Sequence, residues 1–390
     1  MAVPNAGSSS SRHHQPVRIL HTETSMGIGG QEYRVMLEAQ GMQKRGHVVV
    51  VAAPLGSQLS ALAQQRGLQV KTTTSGNRGW MTLVPSYLQM IKQCEIDVVN
   101  THGSLDSWTA SIAGRISSRR PIIIRTRHKS TQVSPSLRHQ LLYGRLPHVV
   151  TTTGEAVRQE LITRNRMRPS RVISIPTGVD LERFQPQSPD AALRTSLGLG
   201  SQGPLVGAVT FLRPEKGMQV FIEAIRLLKN TIPTLECLII GDGEEKLRLS
   251  GRIRELGLED CVHMIGFRQD IPALLTLLDV VVIPSLEEGI PQSLTQALAM
   301  ERPVVASAVG GVPEVVRDGV TGLLVPPQNP ALLSEKIAFI LNNPSLGVRM
   351  GQAGRRVIQE RYSMESMLTQ TENLYRRLLQ SVYSRSRSLS

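Results

Sequence analysis

One segment, Pro284 to Ala306 (PSLEEGIPQSLTQALAMERPVVA), combines a buried strand, an acidic loop with a glycine, and a helix. Pro291 stands near the first position of that helix, where proline is favoured because its missing N–H group is not needed there. We expect the free amides at the start of the helix to point into a cleft, with Glu288 and Gln296 flanking the loop. A plain strand–helix unit does not need so many glycines and polar groups at one sheet edge, so the segment predicts a ligand site.

A second segment, Phe211 to Gly217 (FLRPEKG), leaves a strand and begins a helix. It places Arg213 and Lys216 near the carboxyl edge of a parallel sheet, where ligands bind. Two cations in this position can neutralise a diphosphate. The alternative is a solvated helix start that contains a lysine by chance.

The first half of the chain offers two less specific features. Gly27, Gly29 and Gly30 follow the first strand and open a helix, where backbone N–H groups and the helix dipole can hold a phosphate. A tight turn between strand and helix explains the same glycines, because their spacing is not that of the dinucleotide fingerprint. His102 stands at a strand end, where it can serve a ligand or satisfy a structural hydrogen bond.

The elements that must position these residues follow one pattern in both halves of the chain. Short β-branched runs alternate with longer helical patterns, which is typical of βαβ units and a parallel sheet. We predict an α/β fold with two Rossmann-like domains that face each other across a cleft, and a C-terminal helix that returns to the first domain. The predicted divisions are a disordered lead at 1–16, a first domain at 17–184, a second domain at 185–361, the crossing helix at 362–380 and a disordered tail at 381–390.

The positive charge of the chain is concentrated in one strip. The net charge is +13 over 390 residues, and the strip from Arg115 to Arg171 holds thirteen arginines and lysines against two acids. Nucleic-acid binders commonly add stacking aromatics or a recognition helix to such a surface, but only 3% of the residues are aromatic. We therefore predict no nucleic-acid partner, and we expect an anionic membrane surface or a phosphorylated glycan to contact the strip.

The remaining composition predicts the location of the protein. No segment approaches the roughly 20 apolar residues that span a bilayer, and the N-terminus lacks the apolar stretch of a secretory signal. Cys94, Cys237 and Cys261 are far apart and fit neither a disulfide framework nor a metal pattern. These features predict a cytoplasmic protein with reduced thiols. The basic strip adds the prediction of peripheral binding to the inner face of the cytoplasmic membrane.

Several motifs in order give the chain a resemblance to a known family. The segments GGQEYRVMLEAQGMQKRGHVV, PTGVDLERF and IIGDGEEKLRL, together with the loop at Glu288, resemble the retaining glycosyltransferases of the GT-B fold, family 4 type. The hallmark of that family is Glu, seven residues, Glu, and the resemblance covers nearly the whole chain. NTHGSLDSW and RTRHKS also resemble a bacterial subgroup that builds lipopolysaccharide core and similar envelope glycans.

The resemblance implies a role for each matching residue. It assigns Lys216 to the diphosphate of the donor, Glu288 to hydroxyls of the donor sugar, and His102 to the acceptor side. Two positions depart from the family pattern, because Gln296 replaces the second hallmark Glu and Phe211 replaces the usual arginine. A glutamine can still hydrogen-bond ribose hydroxyls, and Arg213 is two residues along the same loop. The loop backbone implied to bind sugar and phosphate comprises Gly289, Ile290, Pro291, Gln292 and Ser293, beside Gly29 and Gly30 of the first domain.

The function implied is transfer of a hexose-type sugar, with retention, from a nucleotide diphosphate sugar such as a UDP-sugar to a cell-envelope glycan or lipid-linked acceptor. No D-x-D triplet occurs, so we expect neither a metal nor another cofactor, and electrostatic stabilisation of the leaving phosphate instead. Two alternatives stay open. One is a nucleotide-sugar epimerase or glycan phosphorylase on the same fold, and the other is a catalytically silent sugar-binding or membrane scaffold.

Overall fold

The structure is a computed structural model and describes residues 15–27, 29–73, 79–128, 133–134, 136–200 and 203–387. Most of the predicted lead, residues 1–14, lies outside this range. Within the described residues, thirteen strands form two separate parallel sheets. The predicted α/β fold with two Rossmann-like domains is therefore confirmed.

The first sheet has seven strands in the order β3-β2-β1-β4-β5-β6-β7. Its strands are rich in β-branched residues, and the five inner strands are almost fully buried because helices cover both faces, whereas the edge strands β3 and β7 are partly exposed. The strands are β1 Arg18–Thr22, β2 Val48–Pro54, β3 Gln69–Thr73, β4 Val98–Thr101, β5 Ile122–Arg127, β6 Val149–Thr152 and β7 Val172–Ser174. The helices are α1 Gly30–Lys44, α2 Gln58–Gln65, α3 Gly79–Gln93, α4 Ser104–Ile116, α5 Leu137–His139 with the π-helix Gln140–Arg145, α6 Glu155–Thr163 and the 3₁₀ turn Pro169–Arg171.

The second sheet repeats this plan with six strands in the order β10-β9-β8-β11-β12-β13. Its strands are β8 Leu205–Val209, β9 Glu236–Ile240, β10 Val262–Met264, β11 Val280–Ile283, β12 Val304–Ser307 and β13 Leu323–Val325. The helices that precede or cover it are α7 Ala191–Ser196, the 3₁₀ turn Pro214–Lys216, α8 Met218–Lys229, α9 Lys246–Glu255, α10 Ile271–Leu277, α11 Gln292–Ala299, α12 Val312–Val315, α13 Pro330–Asn342 and α14 Pro344–Arg361.

In both sheets the strand order reverses beside the first strand of the domain. The reversal lies between β1 and β4 in the first sheet and between β8 and β11 in the second. Connections leave these strand pairs towards opposite faces, which opens a crevice at the carboxyl edge. The loops after these strands are therefore the places where a ligand can enter.

The chain crosses between the domains twice, and the two crossings pair. Val179 N donates to Tyr362 O at 2.8 Å, and Met364 N donates to Val179 O at 2.8 Å. The final helix, α15 Met364–Arg387, then packs on α1 of the first domain. The predicted return of the last helix is thus confirmed.

Helix α15 docks through apolar and charged contacts. Tyr375 is buried in the first-domain core, and Gly41 on α1 leaves room for Leu368, which a Cβ there would overlap. Arg45 forms an ion pair with Glu372 at 2.9 Å. The tail predicted as disordered from residue 381 is instead helical to Arg387, because each residue added to an existing helix gains a hydrogen bond without a new nucleation cost.

Candidate functional site

The site in the second domain is built around a pair of opposite charges. Lys216 ends the 3₁₀ turn after β8, and Glu288 lies in the loop after β11, the neighbouring strand. The distance from Lys216 Nζ to Glu288 Oε1 is 2.6 Å, and Ser285 Oγ donates to the same oxygen at 2.9 Å. Both charged side chains are partly buried, with exposed fractions of 20% and 10%. The structure therefore joins two residues that the sequence placed in separate motifs.

Glycines hold the loop that carries Glu288. Gly217 has a φ of +64°, and a Cβ there would overlap Pro284 O at the end of β11. Gly310 has a φ of +51°, and a Cβ there would overlap Glu288 O. Gly311 N donates to Gly289 O at 3.0 Å. The position of Glu288 is thus fixed by backbone contacts on two sides, which only glycine permits.

Helix α11 follows this loop but begins one residue later than predicted. Pro291 is the N-cap, with φ −68° and ψ 134°, and Gln292 and Ser293 form the first turn. The correction has a simple cause, since proline fixes φ near the helical value but leaves ψ free. Gln296 lies one turn beyond Gln292 on the same side of the helix and is partly exposed.

Arg213 and Phe211 form a separate contact at the edge of this site. The guanidinium of Arg213 lies 5.5 Å from the centre of the Phe211 ring, and both side chains are exposed. Arg213 also lines a cavity of about 330 Å³ together with Glu245, Arg248 and Gln328. Arg213 thus directly precedes the turn that carries Lys216, but its guanidinium lies over the ring of Phe211.

In the glycine turn of the first domain, a side chain of the following helix already accepts a hydrogen bond from one of the backbone N–H groups. Gly29 is the N-cap of α1, and its N–H group donates to Glu32 Oε2 at 2.8 Å. A Cβ at Gly30 would meet nothing within 4 Å, so this part of the turn is open. Glu23, which follows β1, accepts hydrogen bonds from Thr24 N at 2.8 Å and from the Gln31 side chain. Burial, and then the neighbouring Asp106, raise the pKa of Glu23 to about 7.

His102 is buried and enclosed by two other histidines. Its Nε2 lies 3.0 Å from His21 Nδ1, and its Nδ1 lies 2.9 Å from His128 Nε2. With both ring nitrogens engaged and only 3% of the residue exposed, His102 itself does not face the cleft. His128 is partly exposed and forms the outer end of this row. Burial is the main cause that lowers the pKa of all three rings.

The strand register places His128 beside a residue that lies against the loop of Glu288. Arg127 pairs with Thr152 in the first sheet, so the next residues, His128 and Thr153, are neighbours at its carboxyl edge. Thr153 lies against Gly289, because a Cβ at Gly289 would be 3.8 Å from Thr153 Oγ1. The motif RTRHKS contains His128, but the family resemblance assigns no role to this residue. The missing signal is that β5 ends beside β6, whose following loop meets the second domain.

The basic strip divides into a buried part and an exposed part. Arg125 and Arg127 are buried, and their guanidinium groups lie 3.1 and 2.8 Å from Tyr143 Oη. Leu137 and Leu141, one turn apart, are 78% and 41% exposed. Lys129 lies outside the described residues. The exposed arginines are Arg115, Arg119, Arg120, Arg138, Arg145, Arg164, Arg166 and Arg168.

Two negative findings concern the described part of the chain. None of its helices is long and apolar enough to cross a membrane. Within the same residues, no group of three or more His, Cys, Asp or Glu side chains converges as metal ligands would. The three histidines form a row, and they do not surround a common point.

Comparison with known proteins identifies two family models that match most of the chain. The model described as Glycosyltransferase Family 4 matches residues 28–183, and the model described as Glycosyl transferases group 1 matches residues 190–357. The first match contains β2 to β7 of the seven-stranded sheet, and the second match contains all six strands of the other sheet.

Individual relatives and structures agree with these matches. The chain is 32% identical over 190 residues to alpha-D-kanosaminyltransferase of Streptomyces kanamyceticus, which covers 48% of this chain and 49% of that protein. It is 29% identical over 252 residues to UDP-Gal:alpha-D-GlcNAc-diphosphoundecaprenol alpha-1,3-galactosyltransferase of Escherichia coli, which covers 62% and 65%. The alignments with the first curated relatives span about half the length of those proteins. The crystal structure of Anabaena Alr3699/HepE in complex with UDP has the same fold, with a TM-score of 0.81, 24% identity and coverage of 92% and 99%.

Proposed function

Because the chain belongs to the GT-B glycosyltransferases of family 4 type, we propose that it transfers a hexose-type sugar from a nucleotide diphosphate sugar to an envelope glycan or lipid-linked acceptor. The observation that carries the proposal is the Lys216–Glu288 pair at the reversal of the second sheet. A cation and a carboxylate at this edge match the two unlike parts of such a donor, its diphosphate and its sugar.

When the donor binds, Lys216 and Glu288 separate and each contacts a different part of the donor. Lys216 Nζ turns to the diphosphate, whose charge exceeds that of one carboxylate, and Glu288 accepts hydrogen bonds from sugar hydroxyls. The amides of Gln292 and Ser293 at the start of α11 add donors for phosphate or sugar. Gln296, on the same side of α11, hydrogen-bonds the ribose. Arg213 supplies a further cation at the rim of the site.

The reaction proposed retains the anomeric configuration. The acceptor hydroxyl attacks from the face that the leaving phosphate occupies, and a phosphate oxygen takes the hydroxyl proton. The side chains of this mechanism stabilise charge, and none of them forms a bond to the sugar. Lys216 and the helix amides supply that stabilisation, so the proposal includes no metal ion and no other cofactor.

The acceptor enters from the first domain. The proposal is supported by the place of His128, which is beside Thr153 at the carboxyl edge of the first sheet, while Thr153 lies against Gly289 of the Glu288 loop. A lipid-linked acceptor agrees with the printed activity of the Escherichia coli relative, which acts on a diphosphoundecaprenol glycolipid. Such an acceptor lies at a membrane, so we place the protein in the cytoplasm and at the inner face of the cytoplasmic membrane.

The exposed part of the basic strip supports this position. Leu137 and Leu141 project one turn apart from a segment that also carries Arg138 and Arg145. Apolar side chains among cations are typical of segments that lie on an anionic bilayer. Each cation near such a surface adds about 1 kcal/mol at low salt.

A catalytically silent sugar-binding protein is the second candidate, because Gln296 replaces the hallmark carboxylate and Phe211 the usual arginine. The test has two stages. A thermal-shift screen over nucleotide sugars identifies the donor, because a ligand at 100 times its Kd adds about 2.7 kcal/mol of stability. That donor is then incubated with pure protein, and release of the nucleoside diphosphate is measured. Slow release supports the transferase, whereas a stabilising donor without turnover supports the silent binder.

A further inference from the structure

A row of three imidazoles runs from the cleft into the first-domain core. His128, at the end of β5, holds His102 Nδ1 through its Nε2 at 2.9 Å, and His102 Nε2 meets His21 Nδ1 at 3.0 Å. His102 and His21 are buried, whereas His128 is partly exposed. Among the described residues no group hydrogen-bonds His128 Nδ1. The partial exposure of His128 opens this outer end of the row to a ligand.

The inner end of the row meets the carboxylate of Glu38 on α1. The distance from His21 Nε2 to Glu38 Oε1 is 3.9 Å, which is beyond a hydrogen bond but close enough for strong electrostatic interaction. Glu38 Oε1 accepts hydrogen bonds from Tyr375 Oη at 2.7 Å and from Asn100 Nδ2 at 3.1 Å. Tyr375 belongs to α15, the helix that returns from the second domain.

The proton positions in this row follow from counting donors. Burial lowers the pKa of each ring, so each is neutral near pH 7 and carries one N–H group. Each contact between two rings needs one N–H group and one lone pair. The row is therefore protonated either on every Nε2 or on every Nδ1, because moving the proton of one ring to its other nitrogen requires the neighbouring ring to do the same.

Glu38 decides between these two states. Protonation on every Nδ1 would leave the lone pair of His21 Nε2 facing a carboxylate oxygen 3.9 Å away. Protonation on every Nε2 places an N–H group there, which the negative charge favours. In that state His128 Nε2 donates to His102 Nδ1, and His128 Nδ1 carries the lone pair.

We propose that Glu38, held by Tyr375 of the returning helix, keeps all three histidines in the Nε2–H form, so that His128 offers Nδ1 as a hydrogen-bond acceptor to a substrate hydroxyl. Glu38 and Tyr375 are then positioning residues, and His128 is the group that touches substrate. The role of the hydroxyl rests on the proposed function, whereas the proton positions follow from the row alone. Helix α15, which follows the second domain in the chain, thus helps to position a group of the first-domain site.

The test measures proton positions directly in the full-length protein labelled with ¹⁵N in its histidines. Long-range ¹H–¹⁵N correlation spectra distinguish a protonated from an unprotonated ring nitrogen, and His→Gln variants assign the signals. The inference predicts protonated Nε2 and unprotonated Nδ1 for His21, His102 and His128. A wild-type spectrum with His128 protonated on Nδ1 would overturn it, and the variant that identifies this signal is His128→Gln, at a partly exposed position.

Two variants and a control extend the test to turnover. Glu38→Gln removes the charge and is expected to mix the two proton arrangements and to lower kcat about tenfold, which corresponds to 1.4 kcal/mol. Tyr375→Phe leaves the charge and removes one of the hydrogen bonds that hold the carboxylate, while Asn100 Nδ2 still donates to it, so a smaller change in the same direction is expected. The control is Glu372→Gln, which loses an ion pair of the same helix with Arg45 but lies outside the row.

The outcomes separate this inference from the proposed function. The affinity for the nucleoside diphosphate is expected to stay constant in both variants, because the row does not touch the donor phosphates. Glu38→Gln with an unchanged proton arrangement would contradict the role of Glu38. If the protein transfers no sugar but the spectra show the predicted Nε2–H form, the proton arrangement stands and the proposed function fails.

Discussion

Glu314 of the second domain caps a helix of the first domain that begins at Glu155. The Oε2 atom of Glu314 accepts a hydrogen bond from Glu155 N at 2.8 Å. Its Oε1 accepts a second from Ala156 N at 2.7 Å. These two N–H groups open α6, where the helix has unpaired donors and a positive dipole end. Gly154, just before them, lies against Ile290 of the Glu288 loop. The contact therefore holds the two domains together beside the site.

Removing the charge of Glu314 is expected to weaken this closure. Glu314→Gln keeps the size of the side chain but loses the interaction of a carboxylate with the helix dipole, about 1 kcal/mol. We expect kcat/KM to fall about fivefold. Small-angle X-ray scattering should show a larger radius of gyration with bound nucleoside diphosphate than for the wild type.

The control for Glu314 is Glu335→Gln, because Glu335 is an exposed carboxylate that pairs with its neighbour Lys336. An unchanged radius of gyration together with unchanged kcat/KM in Glu314→Gln would show that the cap does not contribute to closure.

Lys216→Ala is expected to weaken binding of the nucleoside diphosphate product. The substitution removes a cation aimed at the phosphates, and a hydrogen bond to a charged group contributes about 1.5 to 3 kcal/mol. Isothermal calorimetry measures the Kd, and thermal unfolding checks that the fold is intact. Lys336→Ala, at an exposed ion pair, is the control. Equal affinities of Lys216→Ala and wild type would make Lys216 a surface residue only.

The buried carboxyl of Glu23 makes stability depend on pH in an unusual direction. Its pKa is raised from 4.5 in the unfolded chain to about 7 in the fold, so between these values the folded state holds the proton more tightly. The contribution of Glu23 to stability therefore falls as pH rises from about 4.5 to 7, by a total of about 3 kcal/mol. Buried histidines with lowered pKa values act in the opposite direction over part of this range.

Glu23→Gln isolates that contribution. We expect the unfolding free energy of the variant, relative to that of the wild type, to increase as pH rises from 4.5 to 7. Urea denaturation at fixed ionic strength measures both free energies. Glu335→Gln is expected to give a flat difference curve. A flat curve for Glu23→Gln would mean that Glu23 is ionised in the fold at pH 5 to 6.

Membrane binding is expected to depend on Leu137 and Leu141. Replacing both with Ser removes the exposed apolar side chains that would enter the interface, and flotation with vesicles that contain anionic lipid should fall several-fold. Leu247→Ser is the matched control, because Leu247 is 86% exposed on the second domain. Equal flotation of wild type with neutral and anionic vesicles would exclude the electrostatic part of the proposal.

The sequence predicted those features that local pattern determines. The strands β1 to β13 correspond to short runs of β-branched and other apolar residues, and the carboxyl ends of parallel strands meet at one edge. This rule predicts that the motifs of Lys216 and Glu288 lie at the same sheet edge, where the two side chains are 2.6 Å apart. The final helix was predicted from its apolar spacing, although its end at Arg387 depends on helix propagation that no pattern marks.

Features that depend on contacts between distant segments were not predictable. The cap of α6 by Glu314 joins residues about 160 positions apart, in two domains. His102 follows β4 and is buried, whereas the partly exposed histidine of the row is His128, which follows the neighbouring strand β5. Both strand ends offer the same local sequence signal, and only the order and register of the strands distinguish them.

The most direct test of the account compares turnover and product binding in Glu288→Gln. Glu288 is proposed to touch the transferred sugar and not the nucleotide, so its loss acts on the transition state. With the donor found by thermal shift, we predict a fall in kcat of about a hundredfold, an unchanged Kd for the nucleoside diphosphate, and wild-type behaviour of the neighbouring control Glu287→Gln. Full turnover by Glu288→Gln with only a raised KM would contradict the central claim that the Lys216–Glu288 pair forms the donor site of a glycosyltransferase.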